Sequence, residues 1–387
     1  MTVRRALALP PAALAVLLAL ISLAGPAAAD RAEPGFQRST VLILEPPVTS
    51  LRADVVGGDG FLRLRVDRGH EVLVLGYEGE PYLRVLTDGA VEENRRSPAR
   101  ALNADRYGDV EPDPTADAAA PPEWEHAGGG GLALWHDHRI HWMARTTPPV
   151  QVEADGTRVV SRWVVPLIVD GAPVELRGLL VDLPARDASP WIAGWAAGAA
   201  LLVLLGLWRT PAVLPPLVIA AGGALGTTVA QLARLPDGAR PAAATMLLPG
   251  LGLAGAVLAT VAIRWRWLGV PLLAASGAAV ALWGAEWSVT WTRPVLVEGV
   301  PDTAQRVAAA VAVGAGVAAV VVGVVRVVWP DRGRRRRGRG ADDVGLVQPG
   351  AAPDTGAEPA SLRFHASPAR ASHTTRWPLF TVVSAQS

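Results

Sequence analysis

The sequence predicts a mixed fold: an exported antiparallel β-sandwich domain followed by a bundle of five transmembrane α-helices. Three observations carry that expectation. The N-terminus has the layout of an export signal. About 160 residues then alternate short hydrophobic runs with Gly- and Asp-rich turns. Beyond them lie five uncharged stretches of about 17–25 residues, the length needed to cross a bilayer core of ~30 Å.

In chain order, Arg4 and Arg5 precede an apolar run that ends at Ala27-Ala28-Ala29. A positive start, an apolar middle and small residues at the end define a secretory signal, so cleavage is expected after Ala29. Residues 30–187 form the exported domain. The runs Thr40–Leu44, Phe61–Val66, Glu71–Leu75 and Tyr82–Leu86 are rich in Val, Leu and Ile, and Gly-containing turns separate them. Leu62, Leu64 and Val66 alternate with Arg63 and Arg65, as in a strand with one buried and one wet face. Val150–Val152, Arg158–Val169 and Val174–Leu183 read the same way, with Asp155-Gly156 and Asp170-Gly171 as hairpin turns. Residues 104–131, rich in Asp, Pro, Ala and Gly, read as a long loop.

One segment of that domain stands apart: Trp135-His136-Asp137-His138-Arg139-Ile140-His141-Trp142-Met143. It holds three of the chain's 7 histidines. On a strand, residues two apart share a face, so His136 and His138 point the same way and can bind one divalent metal. His141 points to the opposite face unless a turn or bulge intervenes. His126, His70 and Met143 are the further candidate ligands. Imidazole nitrogen suits both copper and zinc, and a thioether suits Cu(I). The alternative is a set of packing histidines, with Asp137 and Arg139 as an ordinary surface pair.

The expected spans are 188–208, 210–233, 241–263, 267–285 and 307–325. Arginine placement orients them, because cytoplasmic loops are enriched in positive charge. Arg209, Arg264, Arg266, Arg326 and the run Arg334–Arg337 fall inside, and Glu286, Glu298 and Asp302 fall outside. The loop carrying Arg234 and Arg240 is the exception. Tryptophans cluster at the span ends, at headgroup depth. Small residues such as Gly252, Gly255, Gly314 and Gly316 allow close helix packing. Residues 330–387 are basic, then rich in Pro, Ala and Ser, and read as a disordered cytoplasmic tail.

The charge supports two compartments. The net charge of +1 conceals an acidic block, with 17 arginines against 26 acids in residues 30–189, and a basic block, with 17 against 9 in residues 190–387. This argues for a lipid bilayer and against nucleic acid as partner. Cysteine is absent, which excludes disulfides and thiolate metal sites, and lysine is absent as well. No spacing of catalytic groups stands out, so the chain is not expected to be an enzyme.

Together with Gly76–Val85 and Glu92–Pro98, the Trp135–Met143 segment resembles a group of uncharacterised membrane proteins of high-GC Gram-positive bacteria. The resemblance spans roughly residues 38–330. It implies a signal peptide, a β-rich exported domain and C-terminal spans, with no activity attached. Three functions follow as expectations. The first is a membrane-anchored binding module, for copper or another divalent metal. The second is an interaction module docking a cell-envelope protein. The third is a transporter subunit.

Overall fold

The structure, a computed structural model, describes residues 34–329 apart from 105, 109–110, 112 and 236–242. The expected signal peptide and tail lie outside the described residues. So do most of the second loop and the start of the third expected span.

An antiparallel β region is followed by helices, as expected. The strands are β1 (Gln37–Glu45), β2 (Leu51–Val56), β3 (Phe61–Val66), β4 (Val72–Leu75), β5 (Pro81–Val85), β6 (Val91–Asn94), β7 (Trp124–Gly128), β8 (Leu132–Trp135), β9 (Gln151–Val152), β10 (Arg158–Val169) and β11 (Ala172–Asp182). A short helix, α1 (Pro98–Leu102), follows β6 and is capped by Ser97. The larger sheet runs β1-β11-β10-β4-β5-β6-β7, with β9 on β10, and β2-β3-β8 form a second sheet. At Asp170-Gly171 both residues have positive φ, 51° and 82°, as the tight β10–β11 hairpin requires. At Gly178 a Cβ would lie 1.9 Å from Trp163, so the Trp163 indole occupies the space a side chain would need.

Inward residues of both sheets share one core. Leu62 and Leu64 from the small sheet meet Val72, Val85, Leu167 and Leu176 from the large one. Three strands differ from the sequence expectation. β2, Leu51-Arg-Ala-Asp-Val-Val, and the four-residue β6, Val91-Glu-Glu-Asn, place charged residues among their apolar ones and were not expected as strands. β7 lies inside the expected long loop, held against β6 by the register Asn94↔Trp124 to Glu92↔His126.

The helices are α2 (Ser189–Trp208), α3 (Leu214–Arg234), α4 (Ala243–Ala262), α5 (Arg266–Trp287) and α6 (Asp302–Val328). Four helical segments are long and apolar enough to cross a membrane: 189–208, 210–234, 266–291 and 302–328. Leu247–Ala262 is a shorter apolar helix. Glycines set the close approaches. A Cβ at Gly252 would lie 2.6 Å from Val280, and one at Gly316 would lie 2.6 Å from Ala281. α6 starts five residues earlier than the expected span, at Asp302, because Gln305 and Arg306 are buried at its end. Arg306 donates to Thr290 O at 2.9 Å and Arg293 O at 3.0 Å, pinning the α5–α6 loop. Trp208, Trp267 and Trp329 are exposed at helix ends. Trp283, Trp287 and Trp291 are instead core residues, a correction to the reading of all of them as interfacial.

The β region and the helices share a second core. Val56 and Phe61 pack with Trp287, Trp291 and Val297. Gly35 and Val295 exchange backbone hydrogen bonds of 2.9 and 3.1 Å, and the Gly57 amide donates to the Glu298 carboxylate at 3.0 Å. The α5–α6 loop therefore seats the small sheet on the helix ends.

Candidate metal centre

β8 ends at Trp135, and His136 to Met143 leave the sheet as an irregular turn. This overturns the expectation that His136 and His138 lie on a strand face. Leu62 pairs with Trp135, so His136 emerges beside Phe61 and Gly60. The turn closes with Ile140 N donating to Asp137 O at 3.1 Å, and Ile140 is fully buried. That closure swings His141 back toward the other two.

Asp137 holds the turn. It is 0 % exposed. Its carboxylate accepts from Trp135 Nε1 at 2.8 Å, from the Arg139 amide at 3.0 Å, and from Arg139 Nε and Nη2 at 2.8 and 2.7 Å. Burial alone would push the Asp137 carboxyl up, but the Arg139 guanidinium and the Trp135 indole overcome it and hold the group below the usual carboxylate range. Arg139 reaches on to Leu75 O at 3.2 Å and lies over the Tyr77 ring at 4.9 Å. The surface pair expected from the sequence is thus a buried, bidentate ion pair.

The three histidines converge inside this frame. His136, His138 and His141 are 4 %, 8 % and 5 % exposed, and one ring nitrogen from each lies within 4.8 Å of the others. Ring centroids are 4.3 Å apart for His136–His141, 5.4 Å for His136–His138 and 5.3 Å for His138–His141. His136 Nδ1 meets Gly60 O. A carbonyl only accepts, so Nδ1 carries the proton; such second-shell bonds orient metal-binding imidazoles. The His138 amide donates to Tyr77 Oη at 2.8 Å, and Tyr77 in turn bonds Asn103.

His141 carries the sharpest signal. Neither ring nitrogen makes a hydrogen bond of good geometry although both are buried. Burial, then the neighbouring His136 ring and the Arg106 guanidinium, pull its pKa down to about 2, against a weak opposing pull from the Trp142 backbone. Neutral imidazole is the ligand form. Arg106 is itself bonded to Asp59 at 2.7 Å, which offsets its charge. Among the described residues no carboxylate joins the group, and the chain has no cysteine, so the set is three imidazole nitrogens.

The other candidates fall elsewhere. His126 is exposed on β7, opposite Glu92. His70 bonds Asp170 at 2.8 Å on the surface. Neither joins the triad. Met143 is 40 % exposed. Its methyl and His138 Cε1 lie 3.5 and 3.3 Å from where a Gly108 Cβ would stand, so it sits at the rim of the group. The sequence reading did not single out Asp137, Arg139, Tyr77 and Gly60 as the frame of the site. The Trp-x-Asp-x-Arg alternation was the one available signal, and it reads equally well as a surface ion pair. No family model, curated protein or solved structure matches this chain.

Proposed function

We propose that this chain is a membrane-anchored metal-binding protein that holds one zinc or copper ion on His136, His138 and His141. The observation that carries this reading is His141: a buried imidazole with two unbonded nitrogens, facing two more imidazoles. An unsatisfied buried polar group costs about 1–3 kcal/mol, a cost that a bound ion would offset. Tetrahedral zinc with Zn–N of about 2.0–2.1 Å sets N···N near 3.3 Å, so the triad, now within 4.8 Å, would close by no more than about 1.5 Å. Three imidazoles also suit copper, and the thioether of Met143 at the rim favours its reduced form.

The test uses the full-length chain in neutral detergent, because the small sheet and the helices share a core. The protein is purified without a histidine tag, stripped with chelator, and titrated with zinc or with copper. One ion per chain is expected, and the melting temperature should climb with metal concentration; at a hundredfold excess over Kd the stabilisation is about 2.7 kcal/mol. If neither metal binds or shifts the melting curve, the reading fails and an interaction module of the cell envelope replaces it.

The same reading places the two sheets as an extracytoplasmic sandwich, released from its signal after Ala29, on five spans with the tail inside. Four long apolar helices and the arginine-rich 326–339 segment support it. α4 supplies the fifth crossing. A reporter fused after Gly340 should be active in the cytoplasm; activity confined to the far side would reverse the orientation.

A further inference from the structure

One short stretch of chain touches both the histidines and the membrane bundle. Gly57 to Gly60 form the turn between β2 and β3, and Phe61 opens β3. On the side of the metal centre, His136 Nδ1 donates to Gly60 O, and Phe61 meets the His136 ring edge-on, with centroids 6.0 Å apart. On the other side lies the α5–α6 loop. The Gly57 amide donates to the Glu298 carboxylate at 3.0 Å. Gly58 rests directly on Val295, where a Cβ would lie only 2.7 Å from the valine side chain. Phe61 belongs to the core that holds Trp287 and Trp291 at the end of α5.

The loop is tied in turn to the helices. Gln305 of α6 donates from Nε2 to Val297 O at 2.7 Å and to Val300 O at 2.9 Å. Its Oε1 accepts from Gln231 Nε2 of α3 at 3.2 Å. Both amides are buried, and Gln231 Oε1 has no partner. An unpaired acceptor inside a bundle is costly, so this amide pair gains from any shift that satisfies it. Loop and helices therefore meet at a polar contact able to rearrange.

Metal binding supplies the movement. The three ring nitrogens lie within 4.8 Å of one another, and a tetrahedral ion draws them to about 3.3 Å. His136 moves only by carrying its Gly60 bond along or by breaking it. Closely packed contacts shift as units, and small displacements at one end are passed on as discrete rearrangements. We infer that the metal centre is a sensor, whose occupancy is reported to the membrane bundle through the β2–β3 turn. This rests on the metal reading proposed above and adds an output to it: the bound ion tightens the α5–α6 loop and the start of α6.

Zinc occupancy is measured by calorimetry on the stripped, full-length protein in neutral detergent, and hydrogen–deuterium exchange is read on the same samples with and without the ion. Cu(I) takes the place of zinc should only copper bind. Amides of residues 292–306 should exchange about fivefold or more slowly in the bound protein. Amides of α4, which packs on α3 and α5, should not change. E298A removes the Gly57 acceptor at an exposed side chain that is no part of the histidine group. It should still bind one ion per chain and lose the response at 292–306. Should E298A melt early, the wild-type contrast between 292–306 and α4 decides alone. Unchanged exchange at 292–306 with the ion bound, equal slowing in α4, or a full response in E298A overturns the inference and leaves the metal centre standing. A protein that binds neither ion overturns the metal reading and this inference with it.

Discussion

Replacing His141 with leucine should abolish metal binding and, at the same time, raise the melting temperature of the metal-free protein. The two effects have one cause. His141 is buried with neither nitrogen hydrogen-bonded. Leucine fills a comparable volume and removes both unsatisfied nitrogens, so the metal-free fold should gain about 1–3 kcal/mol. The ion loses one of three nitrogen donors. Loss of a second-shell partner alone typically costs 10–100-fold in metal affinity, so loss of a direct ligand should cost about a hundredfold or more. A packing histidine gives the opposite pattern, because its loss destabilises the protein with or without metal. Melting curves of wild type and H141L, each with and without zinc, decide between the two. A variant that melts early in both conditions removes His141 from the ligand set.

The second large effect is expected at Asp137. Alanine there leaves the Arg139 guanidinium, 17 % exposed, and the Trp135 indole N–H without their acceptor. Breaking a buried ion pair from one side costs about 3–5 kcal/mol, because the surviving charge stays desolvated. For a chain of 387 residues that is a fall in melting temperature of roughly 4–6 °C. The comparison is Arg162–Glu153, an ion pair whose side chains are 63 % and 40 % exposed. E153A should change stability by only about 0–1 kcal/mol, since water already screens that pair. Differential scanning calorimetry of the two variants measures the contrast. If D137A melts with wild type, the carboxylate does not hold the turn, and the convergence of the histidines needs another cause.

The two cases differ in how legible they were. Asp137 and Arg139 are two residues apart, and on a strand that spacing directs both side chains outward. The strand ends at Trp135 instead, and the pair folds back beneath Leu75 and Tyr77. The same departure brought His141 to His136. From spacing alone His141 belonged to the opposite face, and only the turn closed by Ile140 N and Asp137 O reverses it. His70 and His126 were attractive ligands by residue type, yet the sheet register assigns one to Asp170 and the other to the rim opposite Glu92.

Features set within one contiguous segment were readable without a fold. Span length depends on the match between apolar residues and bilayer thickness, so the four long helices were visible as uncharged runs. Strands β3, β10 and β11 were visible because alternation along a single strand reflects which of its faces is buried. Strands β2, β6 and β7 were not, because their own residues favour no state strongly and the partner strand supplies the missing free energy. Site geometry belongs to that second class. The direction of an imidazole depends on the backbone angles of its turn, and here those angles are held by the turn's own buried Asp137 carboxylate together with a tyrosine hydroxyl and a glycine carbonyl from distant parts of the chain. The amino-acid sequence alone determined which residues were available as ligands and which segments could lie in the membrane. The tertiary structure decided which of those residues meet, because long-range hydrogen bonds and packing set side-chain directions that local spacing leaves open.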